Sequence, residues 1–149
     1  MWKKALMEVD KQRRENGLAM QPPASENDVK SVIKGAEEIL GVKLPDEYLK
    51  FLRLVNGLNW NGVFIYSSKT SQIVGSKHSL QGIVEANEIW RDYEGHEKYL
   101  FFGDSDMSLY GKDLITGEYK ELDRSSNSVI QTYKGFDDML TDVLKSSLL

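Results

Sequence analysis

The sequence predicts an α+β fold, and three observations carry that reading. Apolar residues recur at helical spacing through the first third of the 149-residue chain. After Gly57 the pattern changes to short β-branched and aromatic runs separated by turn residues. The last dozen residues return to helical spacing. Helices, then an antiparallel meander interrupted by one helix, then a terminal helix describe a mainly antiparallel mixed sheet, with the N-terminal helices and the C-terminal helix packed on one side. No internal repeat and no linker divides the chain, so residues 1–149 are expected to form one domain, with 1–24 as an N-terminal helical extension.

The first helix follows from Trp2, Ala5, Leu6 and Val9, with Lys and Arg around the rest of the wheel. Glu8, Asp10 and Glu15 among Lys11, Arg13 and Arg14 mark a solvated face rather than a basic patch. Pro22 and Pro23, which lack amide hydrogens, end the segment. Ser25 and Asp28 form a capping-box pattern ahead of the stripe Val29, Val32, Ile33, Ala36 and Leu40, and Gly41 suits the left-handed residue that closes a helix. Gly35 inside that stripe suggests a close packing contact.

In the next stretch, LGVKLPDEYLKFLRLVNG, Pro45 fits the first helical position. Asp46 and Glu47 sit at the positive end of the dipole, and Asp46 is placed to reach Lys50. Leu44, Tyr48, Phe51, Leu52 and Val55 share a face, and Asn56-Gly57 stops the helix. GVFIY (62–66) reads as a strand, and a short strand is expected at Gln72–Val74. Ile83, Ala86, Ile89, Trp90 and Tyr93 outline the central helix. KYLFFGD is a strand covered on both faces, SLYGKDL and YKELDR flank a Thr116-Gly117-Glu118 hairpin, and SNSVIQTY is a further strand. Phe136, Met139, Leu140, Val143 and Leu144 define the last helix.

Composition narrows the function. Hydrophobic residues make up 40% and charged residues 28%, a globular balance. The absence of cysteine removes disulfides, thiolate metal sites and a thiol nucleophile, and fits a reducing cytoplasm. A net charge of −4 argues against nucleic-acid binding, which rests on phosphate neutralisation, and is compatible with a basic protein partner. The N-terminus has no uninterrupted apolar run of the kind a secretory signal needs, and no run approaches membrane-spanning length, so a cytoplasmic protein without membrane attachment is expected.

Catalytic chemistry is sparse. His78 and His96 read as exposed loop histidines, with no partner at ligand spacing, and no metal or cofactor is expected. No glycine pattern forms a phosphate cradle. Asp104 and Asp106 in GDSDMS would lie about 7 Å apart on one face of a strand, a separation that glycosidase carboxylates use. The same letters also make a polar turn. Trp60 and Trp90 stand beside polar segments and are candidate interface anchors, with Asp104 and Asp106 as candidate partner-binding charges.

The stretch from Leu40 to Gly57 resembles the signature of the SUKH superfamily, which includes fungal cell-wall synthesis regulators. Leu40, Gly41, Leu44, Pro45, Tyr48, Phe51, Leu52, Asn56 and Gly57 match its pattern position by position. LFFGDSDMSLYGKDLITGEYKEL resembles the family's strand, Gly-Asp turn, strand and Thr-Gly hairpin, and GFDDMLTDVL its last helix. The resemblance runs from about Ser25 onward. It implies a mixed sheet with flanking helices and no catalytic residues. Bacterial members resemble immunity proteins that neutralise polymorphic toxins, and fungal members resemble interaction hubs in cell-wall and stress signalling. The leading expectation is therefore a non-catalytic immunity protein that binds a cognate toxin domain. A regulatory or scaffold module is the alternative, and a hydrolase built on Asp104 and Asp106 the distant one.

Overall fold

A computed structural model describes residues 1–148. Five α-helices and a six-stranded sheet make up the body: α1 (Trp2–Glu15), α2 (Glu26–Gly35), α3 (Asp46–Leu54), α4 (Ile83–Trp90) and α5 (Phe136–Ser146), with β1 (Leu58–Trp60), β2 (Val63–Ile65), β5 (Tyr99–Asp104), β6 (Ser108–Asp113), β7 (Tyr119–Asp123) and β8 (Val129–Tyr133). A two-stranded hairpin of β3 (Ser71–Gln72) and β4 (Ser79–Leu80) lies outside it. The strand order is β1-β2-β5-β6-β7-β8, and every pairing is antiparallel. A parallel bridge, Ser67 to Gly82, stands outside the named strands.

Two neighbouring phenylalanines show how the layers arise. Successive strand residues point to opposite faces. Phe102 meets Tyr48 of α3 and Phe136 of α5, with ring centroids at 5.3 and 5.1 Å. Phe101 meets Trp90 and His96, at 6.1 and 5.2 Å. One face of β5 is therefore covered by α3 and α5 and the other by α4, and all six residues of β5 are buried. A bulge between Phe101 and Gly103 bends the strand.

Local chemistry sets the helix ends. Ser25 and Asp28 form the expected capping box, each side chain taking the other's backbone N–H at 3.0 Å. α2 runs into a π-helical turn, Ala36–Leu40, closed by Gly41 at φ 69°. Gly35 lies at ordinary van der Waals distance from Val84 rather than in a contact only glycine allows. Pro45 precedes the first turn of α3 as its N-cap, one position earlier than expected, because its ψ of 141° is extended. Lys50 pairs with Glu47 at 2.9 Å, not with Asp46. On α3, Tyr48, Phe51 and Leu52 are buried, as are flanking Leu44 and Val55.

α4 departs most from expectation. It ends at Trp90; Ile89 and Tyr93 are 50% and 56% exposed, and Val84 and Asn87 face inward instead. Asn87 is fully buried because its amide is matched to backbone: Nδ2 donates to the carbonyls of Ile83 and Phe101, and Oδ1 accepts from Phe101 N–H, each at 2.8 Å. The helix is thereby fastened to β5. Gly103-Asp104, a turn in the family pattern but the end of the KYLFFGD strand, are the last two residues of β5, and the turn is 105–107. α1 packs against α5, and its Trp2 ring meets Phe51 at 5.9 Å. No helix among the described residues is long and apolar enough to cross a membrane.

Candidate protein-binding face

The α4 side of the sheet carries a cleft of about 220 Å³ lined by Phe64, Tyr66, Trp90, Asp104 and Arg124, with Ser79 and Gln81 from the β3–β4 hairpin. Its polar groups form one chain of hydrogen bonds. Trp90 Nε1 donates to Tyr66 Oη at 2.9 Å, and Tyr66 Oη donates to Asp104 Oδ2 at 2.6 Å. Arg124 Nη1 donates to Asp104 Oδ1 at 3.0 Å and to the Ser105 carbonyl at 2.8 Å. The Arg124 guanidinium also lies 5.2 Å from the Trp90 ring centroid, a cation–π arrangement. Burial first, then the Asp104 charge, pushes the Tyr66 hydroxyl well above its ordinary pKa, so it remains a donor.

The effect is to hold an arginine and a tryptophan in fixed positions at a surface. Arg124 keeps 39% of its side chain exposed while two acceptors tether it. Tyr93, 56% exposed, adds its ring 5.8 Å from Trp90. Met107, 71% exposed, is fixed beside Arg124 by a bond from Arg124 N–H to its carbonyl at 2.9 Å. Trp, Tyr, Arg and Met are the residue types enriched at interface centres, and tethering reduces the entropy a partner must overcome.

Of the four residues expected at a partner site, the structure brings Trp90 and Asp104 together and leaves Trp60 and Asp106 elsewhere. Trp60 packs beside α1, its Nε1 donating to Gln12 Oε1 at 3.1 Å and its ring 5.5 Å from Arg13. Asp104 is 8% exposed and bound by Tyr66 and Arg124. Asp106 is exposed in the following turn, with its carboxylate beside Gly62. The two aspartates therefore sit in different surroundings, one buried and paired, the other exposed. Tyr66, Tyr93, Met107 and Arg124 were not singled out from the sequence. Arg124 follows the YKELD strand as one of 19 Lys and Arg residues, and nothing in its neighbours signals a partner 20 positions away.

His78 is exposed, but His96 is buried. Its ring sits among Trp90, Tyr93 and Phe101, and its Nε2 lies 2.6 Å from Asn127 Oδ1. Among the described residues, no group of three or more His, Asp or Glu is arranged to hold a metal ion.

The family model for the SMI1 / KNR4 family (SUKH-1) matches residues 23–142. No curated protein matches the chain.

Proposed function

The chain belongs to the SMI1 / KNR4 family (SUKH-1), and from that premise we propose that it is a non-catalytic, cytoplasmic immunity protein that binds and neutralises a toxin domain. Such domains are often toxin immunity proteins. Inhibition of this kind needs only a surface that covers the toxin's working site. The face of Trp90, Tyr93, Met107 and Arg124 is the observation that supports it, because it offers a pre-set aromatic and cationic anchor within an exposed rim. The chain's net charge of −4 favours encounter with a basic partner.

The test is co-expression with the toxin encoded beside the gene, scored by cell survival, followed by co-purification of the pair. The wild type protects. Tyr93→Ala with Met107→Ala, both exposed and therefore little needed for folding, weakens binding about tenfold or more. Absence of protection and of any co-purifying toxin would overturn the reading. Recovery of a signalling protein instead would favour the regulatory module.

A further inference from the structure

The two edges of the six-stranded sheet are treated differently. At the β1 edge, Arg13 of α1, itself buried, donates Nη1 to the Asn59 carbonyl at 2.6 Å. Trp60 beside it is packed against the core and bonded to Gln12. Side chains of α1 thus occupy polar groups of β1. At the other end, β8 pairs among the described residues with β7 alone. Its sequence, VIQTY, has no charge and no proline, and of the usual edge-blunting devices it carries a bulge at Ile130, which lies unpaired between Val129 and Gln131. Four of its five residues are exposed, and Val129 and Ile130 are 49% and 51% exposed. An edge strand directs alternate N–H and C=O groups outward, so β8 offers a template for another strand.

The chemistry beside that edge selects what pairs with it. On the α5 side of β8, Glu121 of β7 and Asp142 of α5 share the same two neutral donors. Gln131 Nε2 reaches Glu121 at 2.8 Å and Asp142 at 3.2 Å. Tyr133 Oη lies 2.6 Å from Asp142 and 3.4 Å from Glu121. Ser108 adds a third donor to Glu121 at 2.6 Å. Two carboxylates thus lie beside an open strand with neither in a direct ion pair among the described residues. A second copy paired edge to edge about a two-fold axis would bring a second such pair of carboxylates toward the first, which repels. A strand with lysine or arginine at every other position would place its cations on the carboxylate side and its remaining side chains over the opposite face.

We propose that the outer edge of β8 receives an extended basic segment of a protein partner as a seventh antiparallel or parallel strand, with Glu121 and Asp142 selecting its charge. The inference rests on the reading of this chain as a protein-binding module, but it concerns a surface other than the Trp90–Arg124 face.

The probe is a synthetic peptide of eight alternating lysines and valines, titrated into the full chain and followed residue by residue by NMR. Its charge-reversed counterpart of glutamate and valine and a version N-methylated at alternate amides serve as controls. Binding of the basic peptide shifts and slows hydrogen exchange at Val129–Tyr133 amides. The glutamate and N-methylated peptides bind at least tenfold more weakly. Glu121→Gln with Asp142→Asn lowers affinity for the lysine peptide about fivefold to tenfold, as expected for a small charge network. Absence of binding, equal binding of the glutamate or N-methylated peptide, shifts confined to the Trp90–Arg124 face, or a β8-paired dimer by sedimentation would each overturn the proposal. Survival conferred against a toxin would stand in any of those cases, so failure here and failure of the immunity reading are separable.

Discussion

Asn56 and Gly57 stand side by side after α3 and are needed for different reasons. Asn56 uses its whole amide: Oδ1 accepts from Ser68 N–H at 2.8 Å and Nδ2 donates to Ser68 Oγ at 2.9 Å, fixing the helix end to the segment after β2. Gly57 has φ 88°, and a Cβ there would lie 2.5 Å from Leu80 Cδ2, 2.9 Å from Ser67 Cβ and 3.0 Å from the Ile65 carbonyl. Both backbone and space exclude a side chain. Gly41 also has positive φ, at 69°, but a Cβ there meets nothing within 4 Å. The two glycines therefore separate conformational from steric cost. Gly41→Ala should lose about 1 kcal/mol, the backbone penalty alone. Gly57→Ala should lose roughly 2–4 kcal/mol, because overpacking adds to it. Urea midpoints of the two variants measure the difference, and equal losses would show that the packing around Gly57 yields.

At the scale of elements, what could be read from the chain was whatever a local rule decides. The face of α3, the capping box of α2, the two-sided burial of β5, the Thr116-Gly117 hairpin and the five buried positions of α5 all follow from spacing and turn chemistry, and the structure has each of them. The inward face of α4 was only partly legible, because it includes an asparagine. Asn87 is tolerated there only because Phe101, 14 residues away, supplies both a donor and an acceptor. Periodicity counts apolar letters and cannot see such a partner. The partners of Trp90 and Asp104 were illegible for the same reason: Arg124 and Asp104 meet across the sheet, and Tyr66 joins them from a different strand connection. α1 raises a separate question, since the family match begins only at residue 23. Its Trp2, Ala5, Leu6 and Val9 are buried in the same core as α3 and α5, and Trp2 Nε1 donates to Glu47 at 3.3 Å. α1 should therefore behave as part of the folding unit. Trp2→Ala is expected to cost about 3–5 kcal/mol, read from denaturant unfolding followed by the remaining tryptophans. A loss below about 1 kcal/mol would show α1 to be an appended helix.

Across the whole molecule, the carboxylates divide into those the fold uses and those it resists, and the division fixes how stability responds to pH. Asp113 is 4% exposed; against the burial that pushes it up, the N–H groups of Ile115 and Thr116 and the Lys120 ammonium hold its pKa below the usual value. Backbone and side-chain bonds from Ser25 and Ser126 lower Asp28 and Asp123 likewise. For these groups the unfolded chain binds protons more readily, so their contribution is complete above the ordinary carboxyl pKa and is lost as pH falls through the folded value. Asp137, at the start of α5, is the opposite case. Burial, and then the neighbouring Glu47 charge, raise its pKa, and its Oδ1 is buried without a hydrogen-bond partner. Here the folded state holds the proton longer, so stability declines as pH rises from the ordinary carboxyl pKa through the raised one. The two effects together place a stability maximum at mildly acidic pH, with a steep acid limb and a shallow decline toward neutrality. Asp113→Asn should lose about 1–3 kcal/mol at neutral pH and flatten the acid limb. Asp137→Asn, neutral at every pH, should remove the shallow decline and leave the acid limb in place. Unfolding midpoints measured from acid to neutral pH decide it: a wild type and an Asp137→Asn variant whose curves run parallel throughout would mean that Asp137 shares its site with Glu47 at no cost to the fold.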